Sequence, residues 1–132
     1  MMTAIKTVFD TSAFLAIIND EPGSEISQKH ISNACMCAIN IAEVVTYLVR
    51  NGYTDDTDIH RIVNLVKPIL FDEQIAVMAG KMINITKKFG LSLGDRSCLA
   101  TAKLLNLPVY TADRKWSEVA KQIGVNVIQI RS

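Results

Sequence analysis

Short apolar runs alternate along this chain with stretches in which apolar positions recur every three or four residues. The first pattern suits buried strands and the second amphipathic helices. Ile5 to Phe9 is the first run; it ends on Asp10, with Thr11 and Ser12 as helix-start residues. A helix from about Ser12 to Ile18 stops at the turn signal Glu21-Pro22-Gly23, and Ser24 caps a more polar helix to about Asn33. Cys35 to Ile39 reads as a buried strand. Asn40 stands where it can cap the next helix, with Ile41, Val44, Val45 and Leu48 on one face and Gly52 near its end.

Thr54 or Asp55 opens another helix, with Ile59, Ile62, Val63 and Val66 in register, stopped before Pro68. Ile69 to Phe71 is a very short third strand. Asp72 caps a long amphipathic helix carrying Ile75, Met78, Ala79, Met82 and Phe89 on one stripe, closed by Gly90. Ser92 starts a helix to about Leu105 that is nearly all small or apolar and is expected to lie against the sheet. Val109 to Thr111 is the next strand, Asp113 caps the last helix, and Val127 to Ile130 closes as an edge strand. Alternation with short connections predicts an α/β fold: a mostly parallel sheet with helices on both faces. The 132 residues are expected to form one domain, 1–132, without repeat or linker.

In such a sheet the strand ends and the helix starts that follow them share one edge, where ligands bind. Four carboxylates fall there: Asp10, Glu43, Asp95 and Asp113. Singly, each has a plainer explanation. Asn40-x-x-Glu43 and Ser92-x-x-Asp95 resemble capping boxes, with Glu43 in the first turn of its helix, and Asp113 is an ordinary N-cap. Together they are harder to explain as caps. Two like charges about 4 Å apart repel by roughly 4 kcal/mol at an effective dielectric near 20, so a cluster calls for a cation or for protons. Hard oxygen ligands suit Mg²⁺ or Mn²⁺, the apparatus of phosphodiester hydrolysis, with water as nucleophile.

Charge sharpens that reading. The formal net charge is +1, so no basic field steers the chain onto a polyanion, and a bound cation would have to supply what the side chains do not. Apolar residues make up 49% and charged residues 20%, which excludes disorder. The three cysteines, Cys35, Cys37 and Cys98, lack a disulfide spacing and point to buried thiols in a reducing compartment; a zinc site would need two more ligands, with only His30 close in sequence. His30 and His60 read as surface residues on polar helices. No segment reads as a signal peptide or membrane span, so the expected location is cytoplasmic, with no membrane partner.

VFDTSAFLA, the glutamate of NIAEV, SLGDRSCLATA and VYTADRKW resemble the PIN domain, and within it the VapC-like toxin ribonucleases of type II toxin–antitoxin modules. The resemblance covers essentially the whole chain. It implies a five-stranded parallel sheet of order 3-2-1-4-5 and Mg²⁺- or Mn²⁺-dependent endoribonuclease activity on RNA. It further implies inhibition by a cognate VapB-like antitoxin and a homodimer. The family's acidic set falls on Asp10, Glu43, Asp95 and Asp113. Its hydroxyl positions fall on Thr11 or Ser12 and on Thr111, expected to orient ligands. Arg96, Arg114 and Lys115 flank the site as candidate phosphate contacts, with solvated surface charge as the alternative. Two rival readings stand beside this one. A non-catalytic module would bind RNA or protein without turnover. A phosphotransfer domain of the phosphatase type needs a second aspartate where Ser12 stands, and the receiver type needs an acidic pair near the first strand.

Overall fold

The computed structural model describes residues 4–131. Five strands form one parallel sheet in the order β3-β2-β1-β4-β5. These are β1 (Thr7–Phe9), β2 (Ala34–Cys37), β3 (Lys67–Ile69), β4 (Val109–Thr111) and β5 (Val127–Gln129). Eight α-helices flank them: α1 (Thr11–Ile18), α2 (Ser24–His30), α3 (Ala38–Arg50), α4 (Asp56–Val63), α5 (Glu73–Lys81), α6 (Ile83–Thr86), α7 (Leu93–Leu105) and α8 (Lys115–Ile123). The order matches the one implied by the resemblance.

Alternation within the strands divides the core in two. Val8, Cys35 and Val109 turn to one face, where Leu99 and Cys98 of α7 and Trp116 and Val119 of α8 cover them. Phe9, Met36 and Tyr110 turn to the other, against Phe14 of α1 and Val44 and Leu48 of α3. Helix α7 is the most buried helix, as its composition implied. Its polar Ser97 and Thr101 are fully buried because their hydroxyls donate to carbonyls one turn back, Leu93 O at 2.7 Å and Ser97 O at 2.8 Å. All three cysteines are buried and free. Burial raises the Cys35 thiol to about 11 and Cys98 well above the ordinary value, so both stay protonated at neutral pH.

The structure corrects several boundaries. Strand β3 lies two residues earlier than Ile69 to Phe71 and contains Pro68, tolerable because β3 is an edge strand with an unpaired side. The long helix expected from Asp72 to Gly90 is broken. Asp72 caps α5 through a bond from Ile75 N–H (2.9 Å), but α5 ends at Lys81, and α6 and a 3₁₀ turn (Lys87–Phe89) carry the chain to Gly90. Gly80 weakens this stretch by about 1 kcal/mol relative to alanine. The apolar stripe survives the break, since Met82, Ile85 and Phe89 still meet the core.

Helix α3 starts at Ala38, directly on the end of β2, without a side-chain cap. Asn40 is therefore no cap. It lies inside the first turn, 2% exposed, and Glu43 lies one turn deeper than expected. His30 is not a surface residue either. It is half-buried, its ring packed on Tyr110 with centroids 4.8 Å apart, and its Nε2 is 3.3 Å from the Tyr110 hydroxyl. No helix of the described residues is long and apolar enough to cross a membrane.

Candidate active site

Parallel pairing brings the ends of β1, β2 and β4 to one edge, and each of the four carboxylates reaches it by its own local route. Asp10 follows β1 and caps α1, its Oδ1 accepting Ala13 N–H at 2.8 Å. Ser12 Oγ donates to the same carboxylate at 2.7 Å, and Thr111 Oγ1 donates to Oδ2 at 2.6 Å. Both hydroxyls also accept from the turn after β4: Ala112 N–H reaches Ser12 Oγ at 2.9 Å, and Asp113 N–H reaches Thr111 Oγ1 at 3.0 Å. Asp10 is thus locked to the strand beside it. It is only 6% exposed, and burial raises its pKa from 3.8 to about 6 against the opposing pull of these hydrogen bonds, with the charge of Asp95 adding to the rise.

Asp95 sits in the first turn of α7 and completes a capping box: its Oδ2 accepts Ser92 N–H at 3.0 Å, and its own N–H donates to Ser92 Oγ at 3.1 Å. Its pKa is raised, first by burial, then by the charges of Asp113 and Glu43. Asp113 precedes α8 and is not the residue that flanks it; its Oδ1 accepts Lys115 N–H at 3.0 Å, and its carbonyl accepts Gln129 Nε2 at 2.8 Å. Glu43 is exposed on α3, its Oε1 accepting Thr11 Oγ1 at 2.6 Å and Asn40 Nδ2 at 2.9 Å. The Asn40 amide also donates to Gly94 O at 3.1 Å, bridging α3 to α7.

The flanking cations divide. Arg114 and Lys115 are exposed. Arg96 is half-buried and donates from Nη1 to Ala79 O at 3.1 Å, so it ties α7 to the end of α5 and is not the solvated surface charge named as its alternative reading. Asn40, Gly94 and Gln129 escaped the sequence reading as site residues. Asn40 offered a signal only as a cap, and its contact with Gly94 spans 54 positions of chain, beyond any local pattern.

The sequence profile of the PIN domain matches residues 7–122. The chain belongs to the PIN domain family. Solved structures similar to this PIN domain include a toxin–antitoxin complex from Klebsiella pneumoniae, 16% identical with a TM-score of 0.73, covering 96% of this chain and 99% of that one. VapBC-1 from nontypeable Haemophilus influenzae is 20% identical with a TM-score of 0.70, over 96% and 98% of the two chains. FitAcB from Neisseria gonorrhoeae is 19% identical with a TM-score of 0.67, over 94% and 97%. At these identities the likeness is one of fold. None of the curated proteins matches by sequence.

Whether this PIN domain's acidic edge suits a divalent cation can be asked of its oxygens. Glu43, Asp95 and Asp113 are each held through one carboxylate oxygen, while Glu43 Oε2, Asp95 Oδ1 and Asp113 Oδ2 take no hydrogen bond from the described residues. Held on one side and free on the other is the condition of an oriented oxygen ligand. As the side chains stand, no three acidic, thiol or imidazole groups of the described residues close around a point tightly enough to hold an ion. Mutual repulsion among carboxylates acts in that direction, and a cation would act against it. The donor set is all oxygen, which fits Mg²⁺ or Mn²⁺ and not zinc.

Proposed function

We propose that the protein is a divalent-metal-dependent endoribonuclease and the toxin of a type II toxin–antitoxin pair, inhibiting translation until a VapB-like antitoxin binds it. The observation that carries the reading is the acidic edge: three carboxylates oriented through one oxygen each, beside the buried Asp10. Membership in the PIN family and structural likeness to toxin–antitoxin complexes support it. Asp95, Asp113 and Asp10 would hold the principal ion, with Glu43 ligating it through water or serving a second. Mg²⁺ or Mn²⁺, when bound, supplies activation of water and stabilisation of charge on the attacked phosphate.

The chain's own residues prepare that chemistry. Ser12 and Thr111 fix the Asp10 carboxylate, Ser92 fixes Asp95, and Thr11 and Asn40 fix Glu43. Arg114 and Lys115 stand exposed where a backbone phosphate could be met. The chain would work as one domain and as a homodimer in the cytoplasm. The test is cleavage of a total RNA pool by the purified chain with Mn²⁺, with Mg²⁺ and with chelator, beside Asp95→Asn. Discrete fragments that require metal and Asp95 are expected. Binding of RNA without turnover under any metal would favour a non-catalytic module instead.

A further inference from the structure

We infer that Asn40 is a positioning residue for Glu43, and that Gly94 lacks a side chain because Glu43 occupies the space one would fill. The inference rests on the reading above, in which Glu43 serves the metal. Glu43 is exposed on α3, and a glutamate free in water samples many rotamers. Two donors converge on its Oε1, Thr11 Oγ1 at 2.6 Å and Asn40 Nδ2 at 2.9 Å. A hydroxyl rotates to suit its acceptor. The Asn40 amide does not, being 2% exposed and tied by the same nitrogen to Gly94 O at 3.1 Å. Asn40 therefore holds Glu43 relative to the first turn of α7, one residue from Asp95.

Gly94 supports this from the other side. A Cβ there would lie 2.5 Å from Glu43 Oε2, 2.9 Å from its Cδ and 3.0 Å from Oε1. The backbone does not explain the glycine, since Gly94 is helical and absent from the glycines with positive φ. Alanine would favour the helix. The bridge to Gly94 O explains Asn40 only in part: its Oδ1 is buried with no partner among the described residues, so the amide uses its donor side alone, for Gly94 and for Glu43. Both residues make sense once Glu43 must stay in one place.

The test is Mn²⁺ titration by calorimetry into the purified full chain, run as a double-mutant cycle. Asn40→Ala and Gly94→Ala are each measured alone and in a Glu43→Gln background, where three aspartates remain to bind the ion. Ligand-orienting partners typically change metal affinity by about 10–100-fold, so each single variant is expected to weaken Mn²⁺ binding on the order of tenfold. In the Glu43→Gln background the same changes should alter it less than about twofold, because the residue they act through no longer ligates as before. Thermal unfolding checks each variant, and Gly94→Ala keeps the test open should Asn40→Ala fail to fold. Equal losses in both backgrounds, or no loss in either single variant, would overturn the positioning role while leaving metal binding intact. A wild-type chain that binds no Mn²⁺ and cleaves no RNA would instead overturn the proposed function itself.

Discussion

Replacing Asp10 with asparagine keeps the shape of a buried side chain and removes its charge. The Asp10 pKa rises from 3.8 to about 6, chiefly through burial. Each unit is worth about 1.4 kcal/mol, so holding Asp10 ionised at neutral pH costs the metal-free fold about 3 kcal/mol. The sign follows from the raised value. This group's contribution favours the folded state most below pH 3.8, weakens as pH climbs toward 6, and is fully lost above it. Asparagine carries no such term. It can still accept Ala13 N–H and the Ser12 hydroxyl through its carbonyl, while the Thr111 hydroxyl rotates to accept from its amide. Rearrangement takes back part of the gain, leaving a net stabilisation of roughly 1–3 kcal/mol at pH 7, or several degrees in Tm for a chain of this size. The assay is thermal unfolding with chelator from pH 4 to 8, for both proteins. The Tm difference should grow in favour of asparagine up to about pH 6 and then level off. A difference that is flat with pH, or one favouring aspartate at pH 7 without metal, would refute the reasoning.

Other perturbations separate the roles of neighbouring residues. Asp95→Asn should reduce RNA cleavage by at least about a hundredfold and leave the unfolding temperature in chelator unchanged or higher, since asparagine accepts the same cap bond and relieves repulsion. Ser92→Ala should cost about 1 kcal/mol in chemical denaturation by removing the cap, and should weaken metal binding by freeing Asp95. Arg96→Ala should destabilise by about 1–3 kcal/mol through its lost bond to Ala79 O, without changing the salt dependence of RNA binding. Lys115→Ala should do the reverse, lowering the slope of log affinity against log salt by roughly 0.7 on single-stranded RNA.

What could be seen in the sequence was local. Apolar runs placed β1, β2, β4 and β5 to within two residues, the inner three because a strand buried on both faces needs continuous apolar character, whereas β3, with Lys67 and Pro68 exposed, lies two residues before the run read as a strand. Asp10 was visible as the end of an apolar run and the Ser92–Asp95 pair as a cap, a short-range device, and the structure shows Asp95 using one oxygen for the cap while the other stays free. Capping and catalysis are thus not rivals at that residue. Three things were hidden. The break between α5 and α6 follows from weak helix formers that the unbroken apolar stripe outweighed. Asn40 looked like a cap because its neighbours suggested one, yet β2 runs into α3 without a loop and frees its amide for Glu43 and Gly94. His30 sits on a polar helix, but the end of that helix turns it onto Tyr110, 80 positions away.

The most direct test of the central claim is to soak crystals of the chain in Mn²⁺ and locate the ion by its anomalous scattering. The account predicts a peak at the shared edge of β1, β2 and β4, in contact with carboxylate oxygens of Asp10, Asp95 and Asp113, with Glu43 reaching it through water or holding a second ion. The same soak of Asp95→Asn should lose that peak or greatly weaken it. Full occupancy by Mn²⁺ elsewhere, with nothing between these four carboxylates, would contradict the account.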